Sequence, residues 1–164
     1  MRLVIGLGNP NEEYSKSRHN VGFILVDELV SKEGLGWEYS KKFGADMAVS
    51  SDTIFAKPQT FMNNSGKAVS KILSFYKIPL ENLIVIHDDI DLPFGEVKKQ
   101  LGVGAAGHHG VESIIANVKS QDFLRIRFGI GRPTDNSPVE DWVLKDFSEK
   151  ELENVKNKAL KLSL

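Results

Sequence analysis

The run Leu3-Val4-Ile5-Gly6-Leu7, broken at once by Gly8-Asn9-Pro10, decides the fold class. A short stretch without a polar member has no face to give to water. It reads as a central strand covered on both sides. Outward from it, Val21, Ile24, Leu25 and Leu29 recur at helical spacing and predict a helix over 20–31. Short strands are expected over 43–49 and 53–57, joined by a turn at Ser50-Ser51-Asp52 and ended by Pro58. Val69, Ile72, Leu73 and Tyr76 mark a helix over 65–77, stopped by Pro79. Leu83-Ile84-Val85-Ile86 is a second buried strand, 96–101 a further candidate, and Val111, Ile114, Ile115 and Val118 fit a helix opening near Gly107. Over 124–130, Leu124, Ile126, Phe128 and Ile130 alternate with Arg125 and Arg127, which places both arginines on a polar face. Ser148 and Glu151 form a capping-box pattern ahead of a last helix striped by Leu152, Val155, Ala159 and Leu162. Strands alternating with helices predict an α/β fold.

The 164 residues are the size of one domain, and 41% hydrophobic content is enough for a core without staples. Cysteine is absent, which excludes disulfides, a thiolate nucleophile and a cysteine-based zinc site. No segment approaches the roughly 20 apolar residues of a membrane span, so a cytoplasmic protein is expected. The net charge is −1, but it is unevenly spread. Residues 92–132 carry six basic and three acidic side chains, and 135–153 carry seven acids against two lysines. The basic segment is compatible with a local nucleic-acid patch and equally with an ordinary solvated face.

The polar residues cluster where strands end. Asn9 follows the first strand, and His87, Asp88 and Asp89 follow the 83–86 strand. Ligands of open α/β sheets bind beyond the carboxyl ends of strands. Gly6-Leu7-Gly8-Asn9-Pro10-Asn11 lacks the third glycine of a dinucleotide fingerprint. His19 stands just before a helix, whose positive end favours a neutral, proton-accepting imidazole. A carboxylate partner would push the other way. A surface or capping histidine is the plain alternative. His87-Asp88-Asp89-Ile90-Asp91 fits a divalent-cation site, a solvated turn, or a carboxylate that orients a histidine. In Phe61-Met62-Asn63-Asn64-Ser65-Gly66, Asn64 or Ser65 is expected to cap the helix. The small-residue loop Gly102–Gly110, with His108 and His109, could present backbone N–H groups to an anion.

Taken together, Gly6-Leu7-Gly8-Asn9-Pro10, Tyr14, Arg18-His19-Asn20, Phe61-Met62-Asn63 with Ser65-Gly66, and His87-Asp88 with Asp91-Leu92-Pro93 resemble the bacterial-type peptidyl-tRNA hydrolases. Gly107-His108 with Gly110, and Arg125 to Gly131, continue the match in order and spacing over about 1–145. The resemblance implies a single α/β domain over 1–164, with a mixed twisted sheet flanked by helices. It implies no cofactor and no metal, action as a monomer, and peptidyl-tRNA as substrate. By that resemblance His19 is the general base and Asp88 its orienting partner. Asn9 and Asn63 place the peptide and water, Tyr14 and Met62 line the cleft, and Lys98 and Arg127 grip the tRNA 5′-phosphate end. Gly107 and His109 face the substrate, with His109 standing where the family usually has asparagine. Asn11 replaces a usual glycine, Ala105-Ala106 replace part of a glycine loop, and the C-terminal helical region is short. Two rivals remain at this stage. One is a non-catalytic RNA-binding relative such as a splicing factor. The other is a metal-dependent phosphoryl hydrolase built on Asp88, Asp89 and Asp91.

Overall fold

Leu3, Val4 and Ile5 are fully buried, and the strand they build, β1 (Arg2–Gly6), lies inside a seven-stranded sheet. The computed structural model describes residues 1–164. After β1 come α1 (Val21–Lys32), β2 (Glu38–Ser40), β3 (Ala45–Val49), β4 (Thr53–Pro58), α2 (Ser65–Tyr76) and β5 (Leu83–Asp89). β6 (Val97–Leu101), α3 (His109–Val118), β7 (Leu124–Gly129), α4 (Val139–Leu144) and α5 (Glu149–Leu160) complete the chain. The strand order is β2-β3-β4-β1-β5-β7-β6. β4, β1, β5 and β7 run parallel, while β2, β3 and β6 add antiparallel edges, so the sheet is mixed.

Helices cover both faces, as the all-apolar strands require. Ile5, Val85, Ile72 and Ile114 belong to the core under α2 and α3. Val4, Leu25, Ile126 and Val155 belong to the core under α1 and α5. No helix is long and apolar enough to cross a membrane. The expected Ser148/Glu151 capping box opens α5.

Gly6 of the first motif and Gly22 of α1 serve packing. A Cβ on Gly22 would stand 2.4 Å from Ile86 O and 2.6 Å from Leu7 N, and one on Gly6 would stand 2.5 Å from Gly22 O. Backbone therefore meets backbone where α1 crosses the ends of β1 and β5, and this seats the start of α1 against the strand ends that carry the polar residues.

Two readings need correction, and two elements were not expected. Neither Asn64 nor Ser65 caps α2 through its side chain. The helix grows out of a 3-10 turn over Met62–Asn64, and the Ser65 hydroxyl donates to Met62 O at 2.8 Å. The face bearing Arg125 and Arg127 is not open to solvent at Arg125, which is 3% exposed. A glycine-rich loop folds over it, and the guanidinium donates to Gly104 O at 2.6 Å. Two short elements, β2 and α4, lack a strong pattern of their own: β2 is three residues long and mostly exposed, and α4 buries no residue fully.

Asn11 has φ +86°, a conformation that favours glycine, which accounts for the glycine expected at this place. The prediction is that Asn11→Gly stabilises the fold by about 1 kcal/mol through relief of strain. Urea denaturation measures it, and an unchanged or lower midpoint contradicts it.

Candidate active site

Asp88 ends the buried part of β5 with a side chain only 2% exposed, so its carboxylate must find its partners within the protein. Two imidazoles supply them. His19 Nδ1 lies 2.8 Å from Asp88 Oδ2, and His108 Nε2 lies 2.8 Å from Asp88 Oδ1. The His108 tautomer follows from its other side. Its Nδ1 accepts from the backbone N–H groups of Gly110 and Val111 at 3.1 and 3.3 Å, capping α3, so Nε2 carries the hydrogen. On His19, Nδ1–H donates to the carboxylate, and Nε2 is left with its lone pair free in the cleft.

Burial pushes the His19 pKa down, but the charge of Asp88 and its hydrogen bond outweigh burial and hold the pKa above its ordinary value. Burial likewise pushes the Asp88 carboxyl up, yet His19 and His108 hold it well below the usual carboxylate range. His87, next along β5, is buried. Its Nδ1 donates to Asp88 O at 2.7 Å, and burial followed by the proximity of His108 keeps it neutral, with a pKa well below the ordinary value.

His19 is placed by the 3-10 turn Arg18–Asn20 that leads into α1. Arg18, 7% exposed, anchors that turn. Its guanidinium donates to Lys145 O and Asp146 O at 3.1 and 2.8 Å and stacks 3.9 Å from the Trp142 ring. On the other side of the turn, Asn20 accepts from Asn9 N and donates to Asn9 O, both at 2.9 Å. Asn9 Oδ1 in turn accepts from Met62 N at 2.8 Å, which leaves the Asn9 Nδ2 donors unused.

The expected site residues thus fall into groups. His19, Asp88, Gly107, His109 and Arg127 line one cleft of about 420 Å³, together with the missed His108, Arg125 and Gln100. Asn9 and Met62 are hydrogen-bonded to each other and reach the His19 turn through Asn20, with exposed Asn63 beside Met62. Tyr14 is half-buried on the turn Glu12–Tyr14, with no side-chain hydrogen bond to the rest. Lys98 is exposed and pairs with Arg127 across the β6–β7 ladder. His109 is exposed and lies 3.2 Å from Glu112. His108 and Asn20 were legible only as neighbours of stronger motifs, because capping and loop-bracing partners lie far off in sequence.

The metal alternative on Asp88, Asp89 and Asp91 does not fit. Asp89 pairs with Arg127 at 2.5 Å and Asp91 with Arg132 at 2.7 Å, so the three carboxylates turn to different partners. Ligand atoms of His19, Asp88 and His108 do lie within 4.8 Å of one another, but both Asp88 oxygens are taken by imidazole hydrogens.

Fold and site together define an α/β protein that offers a carboxylate-bound imidazole at the carboxyl ends of parallel strands. Comparison narrows the class. The peptidyl-tRNA hydrolase family model matches residues 3–163. The peptidyl-tRNA hydrolase of Aliarcobacter butzleri is 45% identical over 157 residues, which is 96% of this chain and 85% of that protein. That of Bdellovibrio bacteriovorus is 49% identical, over 92% of this chain and 83% of the relative. The crystal structure of the Acinetobacter baumannii peptidyl-tRNA hydrolase superposes with a TM-score of 0.90 at 31% identity, covering 97% of this chain and 83% of that one. The chain belongs to the peptidyl-tRNA hydrolase family.

A pH dependence follows. If His19 serves as a base it works when neutral, so activity is expected to fall as pH drops through its raised pKa. Asp88→Asn removes the charge that raises it and leaves burial, which lowers it. The acid limb of kcat/KM is therefore expected to move to lower pH in Asp88→Asn, while the plateau falls. An NMR titration of His19 checks the sign: an upward or absent shift contradicts it.

Proposed function

We propose that this chain hydrolyses the ester bond between a peptide and tRNA, in the cytoplasm, with His19 as general base. The observation that carries the reading is the 2.8 Å contact between His19 Nδ1 and the buried Asp88 carboxylate. Asp88 fixes the ring and the tautomer, and His19 Nε2 takes a proton from water. The hydroxide attacks the carbonyl carbon. The free Nδ2 donors of Asn9, with the Asn63 amide, stand ready for the oxyanion and the peptide. The intermediate then expels the ribose oxygen, which takes the proton back from the imidazolium. Asp88, fully ionised, stabilises that imidazolium while it exists. No Gly-x-Ser-x-Gly elbow is present in the sequence, so water and not a serine is the nucleophile.

Strand order supports a division of labour. Asn9 follows β1 and Met62 follows β4 on one side of β5, while Arg127 and Lys98 lie on β7 and β6 on the other. The peptide side and the phosphate side then flank the base, Gly107 and His109 edge the cleft, and Met62 and Tyr14 shape the peptide side. Phosphate contacts through Lys98 and Arg127 make capture salt-dependent and largely indifferent to sequence. The non-catalytic alternative has no support from the relatives, which are named hydrolases, or from a site that keeps both base and carboxylate.

His19→Ala is expected to lower kcat by about 10²–10⁴-fold with tRNA affinity nearly unchanged. The assay is release of free tRNA from N-acylated aminoacyl-tRNA, run with and without EDTA. Unchanged turnover in the variant removes His19 as base, and inhibition by EDTA in the wild type brings a metal back. Lys98→Ala or Arg127→Ala is expected to weaken substrate capture and reduce the log–log salt slope by about 1. An unaltered slope takes the residue out of the interface.

A further inference from the structure

Arg125 and Arg127 point from the same face of β7, yet their situations differ. Arg127 has a counter-ion: Asp89 is 2.5 Å from its Nε, and Gln100 accepts a further hydrogen bond. Arg125 is the more deeply buried, at 3% exposure, and forms no ion pair. Its one hydrogen bond goes to a neutral group, Gly104 O, at 2.6 Å, which leaves most of the guanidinium fork without an acceptor. Burial and then the neighbouring Arg127 both work against its charge, and Asp89, which favours it, is already bound to Arg127. A buried cation without an anion is unfavourable in an isolated protein.

The loop that covers it has the complementary property. None of the backbone N–H groups of 103–107 donates a hydrogen bond to the protein. Ala106 and Gly107 hold positive φ angles of 49° and 84°, so the loop is tightly turned where its amides lack acceptors. Arg125 and residues 103–107 line the same cleft as His19.

We propose that Arg125 and the 103–107 amides form a phosphate subsite in the wall of this cleft, distinct from the Arg127 contact. A planar guanidinium with a free fork, beside backbone amides that have no protein acceptor, suits a tetrahedral oxyanion. That the phosphate belongs to RNA rests on the function proposed above. The anion site itself does not.

The test is thermal melting with inorganic phosphate against sodium chloride of equal ionic strength. Phosphate is expected to raise the wild-type Tm saturably above chloride. Arg125→Gln is expected to lose that increment without melting lower than wild type in chloride, because an unpaired buried charge is removed. Arg132→Gln, at an exposed arginine paired with Asp91, keeps the increment. Arg125→Lys, which retains the charge without the fork, is expected to bind phosphate at least about tenfold more weakly. No wild-type increment overturns the subsite. So does an undiminished increment in Arg125→Gln, or, if that variant does not fold, unweakened binding in Arg125→Lys. Saturating tRNA is expected to abolish the phosphate increment; an increment that persists on top of tRNA overturns its assignment to RNA. Phosphate binding in a protein without hydrolase activity would leave the subsite standing and remove the hydrolase reading alone.

Discussion

The Asp88 carboxylate is buried between two imidazoles, and the site depends on that arrangement. Removed from water, an ionised carboxylate costs several kcal/mol unless its oxygens are bonded. Each oxygen here faces one ring nitrogen. The two histidines come from different elements, His19 from the turn before α1 and His108 from the cap of α3. One charge therefore ties both helix starts to the end of β5. It also sets chemistry on one ring and structure on the other. His19 keeps a free nitrogen, whereas both nitrogens of His108 are engaged.

Packing makes this junction possible. α1 reaches the strand ends only because Gly22 and Gly6 bring backbone against backbone, and α3 reaches Met62 only because Gly110 has no side chain there. A Cβ on Gly110 would stand 2.5 Å from Met62 Sδ. Gly6, part of a run that resembles a nucleotide fingerprint on paper, is thus a contact point, and with Gly22 and Gly110 it brings His19 and His108 within reach of Asp88. Asn20 adds the last constraint, holding both backbone groups of Asn9 and so linking it to the turn that carries His19.

The charges of the cleft are divided by the sheet. Asp89, Asp91 and Asp88 are near-neighbours in sequence, but the end of β5 sends them to Arg127, Arg132 and the histidines respectively. A cluster that reads as a cation site on paper becomes three separate pairings. Arg125 is left out of the exchange, the one cation of the cleft wall without a carboxylate.

The sequence by itself determined the alternation of strands and helices, the buried character of β1 and β5, the capping box of α5 and the position of chemistry at strand ends. These depend on local pattern: apolar runs, helical spacing and turn residues act over a few positions. His19 and Asp88 were legible as candidates, and the family resemblance gave them roles. Only the tertiary structure decided that the carboxylate prevails over burial at His19, that His108 is the second partner of Asp88, that Asn64 and Ser65 do not cap α2, and that Arg125 is buried while Lys98 is exposed. Each of these turns on what lies across a gap of many residues. Burial, hydrogen-bond partner and local field are properties of neighbours in space, and strand order, not sequence order, selects those neighbours.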